Sequence, residues 1–235
     1  MRPINLNEQR ARRKSAKRGR SRRNGSYASL PDAQLVRLLE SYLEKMRETA
    51  HALPVAEVAR VAEEMLRARA EGKTVYVLGN GGSASTASHA ATDWLKPHHD
   101  HDEGGVNTVS LVDNVALLTA WANDTSFDNV FAAQLESMLT AGDVVIAISG
   151  SGNSPNVLRA VETARKLGAV TVGLSGFEGG ALAGMVDISV VVPCDEQGMI
   201  EDIHMVMVHA LTVVLRQATA VEVEDPAEAA RTQAF

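Results

Sequence analysis

From Thr74 onward, short apolar runs alternate with helical patterns, and no other feature of the chain constrains the fold as tightly. A parallel strand covered on both faces by crossover helices reads as a nearly continuous apolar run, not as strict alternation. Five such runs occur: TVYVLG (74–79), NTVSLV (107–112), DVVIAIS (143–149), AVTVGLS (169–175) and DISVVVP (187–193). Helices are predicted near 84–95, 114–121, 127–139, 154–167 and 200–217. The last one, within MIEDIHMVMVHALTVVLR, is apolar on nearly every side, and its length favours a buried helix over a strand. The expected architecture is α/β, a five-stranded parallel sheet flanked by helices.

Two amphipathic helices precede the sheet. One opens at Pro31-Asp32 and carries Leu35, Leu38, Leu39, Tyr42, Leu43 and Met46 at helical spacing; the second starts at Pro54 and carries Val58, Val61, Ala62, Met65 and Leu66. They have each other, the sheet or a partner subunit to cover. The organisation expected is a basic disordered tail (1–26), N-terminal helices (27–72), a single α/β domain (73–220) and a flexible C-terminal tail (221–235).

The net charge of −6 hides an asymmetry. Ten of the 23 Lys and Arg residues lie between Arg2 and Arg23, where Glu8 is the only acid, so the remainder of the chain carries 13 basic and 28 acidic residues. An acidic body argues against a nucleic-acid surface, leaving only the tail RARRKSAKRGRSRR as a nonspecific polyanion binder. The absence of an apolar run of membrane length, of an apolar leader, and of any cysteine besides Cys194 points to a cytoplasmic protein with no membrane partner.

Two strands end in turns rich in glycine and serine that lead into helices. The first is LGNGGSAS from Leu78, where a strand ends at Gly79, and the second is SGSGNSPN from Ser149, where Ser154 is placed to cap a helix and Pro155 occupies its first turn. Glycines let backbone N–H groups approach an anion, hydroxyls add donors, and a helix N-terminus favours negative charge. Neither turn matches the nucleotide patterns G-x-x-x-x-G-K-[ST] or G-x-G-x-x-G in full, so the ligand expected is a phosphate monoester. HHDHDE (98–103), between a helix and a strand, reads as a solvated loop.

With LGNGGSAS, WANDTSFDNVF, GDVVIAISGSGNSPNV, TVGLSGFEGG and IEDIHMVMVH in that order, the chain from about Leu35 to Arg216 resembles the SIS (sugar isomerase) domain family, and within it the phosphoheptose isomerases. The resemblance implies a single SIS domain, a homotetramer with active sites at subunit interfaces, and conversion of sedoheptulose 7-phosphate to an aldoheptose 7-phosphate. Matched position by position, it implies sugar-phosphate contacts at Asn80, Gly81, Gly82, Asn123, Asp124, Ser149, Gly150, Ser151, Ser154 and Glu201. Metal and acid–base positions fall on His89, Asp93, Glu201 and His209, with a divalent metal, zinc, as cofactor. Asp93 is then the base and His209 the acid–base partner that also assists ring opening, while His204 serves packing or a hydrogen bond. Three positions depart from the pattern: Gly150 stands for threonine, Asp93 for glutamate and Glu201 for glutamine. Lys96 is a further candidate for a substrate contact. The alternative is a noncatalytic SIS module that binds a sugar phosphate or a protein partner in regulation.

Overall fold

The computed structural model describes residues 30–96 and 105–223. The basic tail, HHDHDE and 224–235 lie outside the described residues. The described residues up to Tyr42 belong to one compact unit and those from Leu43 onward to another. The first helix, α1 (Asp32–His51), crosses that boundary; in its first half Leu35, Val36, Leu38 and Leu39 are exposed.

The second unit runs α2 (Val55–Ala70), β1 (Val75–Gly79), α3 (Gly82–Leu95), β2 (Thr108–Ser110), α4 (Val115–Asp124), a single 3-10 turn (Phe127–Asn129), α5 (Ala132–Met138), β3 (Val144–Ile148), α6 (Pro155–Lys166), β4 (Val170–Ser175), α7 (Gly180–Ala183), β5 (Ile188–Val191) and α8 (Gln197–Val223). The five strands form one parallel sheet in the order β2-β1-β3-β4-β5. The boundary drawn at 72/73 falls inside this unit, because α2 is part of its core: Val61, Ala62, Met65 and Ala68 pack with Val75 and Val77 of β1. The helix α8 extends to Val223, past the start of the expected C-terminal tail.

Strand pleating splits the core in two. Val75, Val77, Val144, Ile146 and Ile148 face α2, α3 and α8, whereas Tyr76, Leu78, Val145 and Ala147 face α5 and α6. On the first face α3 contributes only small side chains and one large one, Ala87, Ala90, Ala91 and Trp94, so its backbone lies close to its neighbours. The Trp94 indole crosses to α8 and donates to Thr212 Oγ1 at 3.1 Å. The segment Gln197–Ala218 is long and apolar enough to span a bilayer, yet half of it is buried inside the protein, with Ile200, Ile203, Met207, Val208 and Leu211 in the core. It is a core helix.

Three expectations about helices are corrected. The helix drawn over 127–139 is a 3-10 turn followed by α5, α4 runs on to Asp124, and α8 begins at Gln197. The short helix α7 was not anticipated, since Gly179-Gly180 reads as a turn; both glycines do hold positive φ, 85° and 58°.

Candidate active site

The chain leaves β1 for β2 on one side and resumes at β3 on the other, so the direction of sheet growth reverses between β1 and β3. Such a switch point opens a crevice beyond the carboxyl ends of the two strands. A hollow of about 180 Å³ lies there, lined by Asn80 and Ser83 after β1, by Ile148, Ser149, Gly150, Ser151 and Ser154 after β3, and by Gln197 from α8.

The serine turn is tied into the sheet. Gly152 N donates to Ser149 O and Gly176 N to Gly150 O, both at 2.9 Å, while Leu182 N reaches Gly152 O at 2.9 Å. Asn153 Oδ1 accepts from Ala181 N at 3.0 Å. The segment SGFEGG after β4 therefore acts as a backing for the turn. Gly152 is required at its place: φ is +64°, and a side chain there would strike the Gly179 carbonyl. Ser154 occupies the helix N-cap position but makes no side-chain capping bond. Its hydroxyl instead faces Ser149 Oγ at 3.2 Å. Both hydroxyls thus belong to the hollow, and the N-terminus of α6 is left without a side-chain cap. This corrects the expected capping role.

Across the crevice, Asn80 and Asn156 exchange two carboxamide hydrogen bonds, Asn80 Nδ2 to Asn156 Oδ1 at 2.8 Å and the reverse at 2.9 Å. Asn156 is buried and pins the β1 turn to the first turn of α6. Gly81 turns the chain at φ +56° into α3. A side chain at Gly82 would displace the Glu201 carboxylate, which lies against it. That places a negative group at the N-terminus of α3, where the helix dipole favours it. Glu201 Oε1 also accepts from Gln197 Nε2 at 2.7 Å.

Farther along α3, His89 and Asp93 share a face, one turn apart, and His209 meets them from α8. His89 Nε2 and His209 Nε2 are 2.9 Å apart, and Asp93 Oδ2 lies 3.4 Å from the first and 3.9 Å from the second. Two imidazole nitrogens facing each other at that distance share one ring's N–H or a cation between them. The three side chains bring their donor atoms within 4.8 Å of one another, a set suited to a metal ion. Glu201, the fourth expected ligand, stands outside this group, hydrogen-bonded instead by Gln197 and lying against Gly82. His89 also lines an open hollow of about 540 Å³ with Ser85, Ser88, Thr92 and Asp113.

Asn123 and Asp124 are not brought to the hollow beyond β1 and β3. They end α4, exposed, with Asn123 Nδ2 donating to Asp124 Oδ1 at 2.9 Å. Lys96 caps the C-terminus of α3 and is exposed. His204 is fully buried, its Nε2 3.2 Å from Ser175 O and its Nδ1 without a partner. Burial pushes its pKa down to about 4, against smaller upward effects from the Ser175 carbonyl and Glu201. It is therefore a neutral core histidine.

Ser83, Asn156 and Gln197 were missed in the sequence. Gln197 carried one usable signal, its position a helical turn before Glu201 on the same face.

A family model described as the SIS domain matches residues 39–176. The phosphoheptose isomerase of Geotalea daltonii is 38% identical over 160 residues, covering 68% of this chain and 83% of its own. The chain belongs to the SIS domain family, among its phosphoheptose isomerases. Solved phosphoheptose isomerases share its architecture: that of Francisella tularensis, at 33% identity, has a TM-score of 0.73 and aligns over 79% of this chain and 97% of its own. That of Neisseria gonorrhoeae, at 29% identity, has a TM-score of 0.72 over 79% and 98%. With this membership the protein is a phosphosugar isomerase, and its crevice lies where the SIS turns meet.

Proposed function

We propose that this SIS protein interconverts sedoheptulose 7-phosphate and an aldoheptose 7-phosphate through an enediol, with metal assistance. The observation that carries the reading is the convergence of His89, Asp93 and His209 beside α3, whose N-terminus borders the phosphate hollow. From Gly82 to His89 the helix rises about 10 Å. A long sugar phosphate gripped at one end by the serine turn spans such a gap and brings its carbonyl end to the cluster.

Ser149, Ser151, Ser154 and the turn's backbone N–H groups bind the phosphate, and Asn80, Gly81 and Gly82 orient the chain beyond it. Asp93 Oδ2 removes a C1 proton of the open-chain ketose and, after exchange with solvent, delivers a proton to C2. His209 Nε2 exchanges protons with the sugar oxygens and assists ring opening. His89 and Asp93, joined by His209 when its Nε2 carries no proton, would hold the divalent metal, for which zinc suits a set of imidazoles and a carboxylate; when bound it would polarise the sugar oxygens.

The side chains of His89 and His209 are 43% and 56% exposed, too open for proton transfer away from bulk water. In the proposed homotetramer, with active sites between subunits, a second copy covers them. The apolar helix α4, with no buried residue, and the exposed Val206, Val213 and Val214 of α8 offer surface for such contacts. Asn123 and Asp124 at the end of α4 then reach substrate in a shared site.

The test is a panel of ketose phosphates of different chain length assayed for isomerisation before and after chelation. The expected result is highest turnover with sedoheptulose 7-phosphate and a large loss on chelation, restored by zinc. Preference for a shorter ketose phosphate would overturn the substrate assignment, and turnover indifferent to chelation would overturn the metal.

A further inference from the structure

We propose that Gln197 is a direct ligand-binding residue of the phosphate hollow, and that Gly150 lacks a side chain so that the Gln197 amide can enter; this rests on the sugar-phosphate reading above. Gln197 is the first residue of α8 and lines the hollow together with Asn80, Ser83, Ser149, Ser151 and Ser154. A Cβ placed on Gly150 would lie 2.5 Å from Gln197 Nε2 and 2.7 Å from Oε1. Real Cβ atoms do not approach so closely, so a side chain at 150 and the amide in this position exclude one another.

The glycine is not there for its dihedral freedom. Gly150 is absent from the described glycines with positive φ, which include its neighbour Gly152. An L side chain is therefore compatible with the backbone at 150, but its Cβ would take the place of the Gln197 amide, which would have to swing aside. The two positions behave as one packed pair.

Charge gives the pair a function. Gln197 Nε2 donates one hydrogen to Glu201 Oε1 at 2.7 Å, which fixes the amide. A carboxamide nitrogen has two hydrogens, and the second is available to an oxygen of the ligand. Glu201 does not line the hollow, whereas Gln197 does. A neutral donor, steadied from behind by a carboxylate, thus faces the anion, and the negative group itself is kept back.

The full chain and four variants, Gln197→Ala, Gln197→Glu, Gly150→Thr and Gly150→Thr with Gln197→Ala, are titrated with inorganic phosphate and with sedoheptulose 7-phosphate by calorimetry, with turnover measured in parallel. Gln197→Ala is expected to weaken both ligands about tenfold, the loss of one hydrogen bond to a charged group. Gln197→Glu should weaken them further by setting a second negative charge beside the first. Gly150→Thr should bind less well than the double variant, since removing the amide relieves the collision. Unchanged binding by Gln197→Ala, or a double variant whose loss is the product of the two single losses, would overturn the assignment. If Gly150→Thr does not fold, the two Gln197 variants decide. A wild-type protein that binds inorganic phosphate with this pattern but does not turn over the heptulose phosphate would sink the functional reading and leave Gln197 in place. Normal turnover with Gln197→Ala binding as wild type would do the reverse, and a wild-type protein that binds neither ligand would overturn both.

Discussion

The serine turn and the histidine–aspartate cluster are built in different ways. The turn is laced by backbone hydrogen bonds to Gly176 and Leu182 and braced by the half-buried Asn80–Asn156 pair, so its donors are fixed before any ligand arrives. The cluster rests on two helix faces, its imidazoles largely exposed and held chiefly by one another. A binding site gains affinity from preorganisation, and one chain is enough to supply it here. Proton transfer requires exclusion of water as well, and the open face of the cluster gives a partner subunit something to complete.

The largest expected effect separates the two regions outright. Asp93→Ala or His209→Ala should lower turnover by about 10² to 10⁴ with little change in sugar-phosphate affinity, read from kcat and from calorimetric binding. An equal fall in affinity would merge the regions into one.

His204 tests how firmly α8 is seated between them. Its folded pKa of about 4 lies below the ordinary 6.5 of an exposed histidine, so between those values the unfolded chain binds the extra proton. Stability should accordingly fall by up to about 3 kcal/mol as the pH drops from 6.5 to 4, and level off below. Denaturant unfolding across that range checks this, and His204→Gln should flatten the slope.

Asn156→Ala breaks the brace under the turn and leaves the Asn80 amide unpaired, at an expected cost of about 1 to 3 kcal/mol in chemical denaturation. Turnover per folded molecule should suffer through KM. The smallest effect is expected for Ser149→Ala or Ser154→Ala, about a tenfold rise in KM with kcat nearly kept. A fall in kcat alone would place these hydroxyls in the chemistry.

How much of this was legible in the sequence follows from the range of the interactions. Buried parallel strands announce themselves as apolar runs, and the five drawn were found, with most ends one or two residues too generous and those at Gly79 and Ser175 as drawn; β2 is shortest, because the chain turns away after Leu111 N donates to Val77 O. The serine turn was visible because its chemistry is local. His89 and Asp93 were visible as a helical pair, and His209 joined them only by resemblance, since 120 positions separate it from His89. Asn156, Ser83 and Gln197 acquire their roles through contacts across the crevice, which a single chain pattern does not carry. Ser154 was placed correctly and its hydroxyl was misassigned: the position is that of a cap, and the neighbouring Ser149 hydroxyl decides where the side chain points.

The division between a turn that grips phosphate and a cluster that moves protons is tested most directly by following sedoheptulose 7-phosphate with the protein in heavy water by proton NMR. The account predicts an aldoheptose 7-phosphate carrying solvent deuterium at C2, formed by the wild type and not by Asp93→Ala, although that variant still binds the substrate. Tight binding by the wild type with no aldose formed would contradict it, as would deuterated product from Asp93→Ala at the wild-type rate.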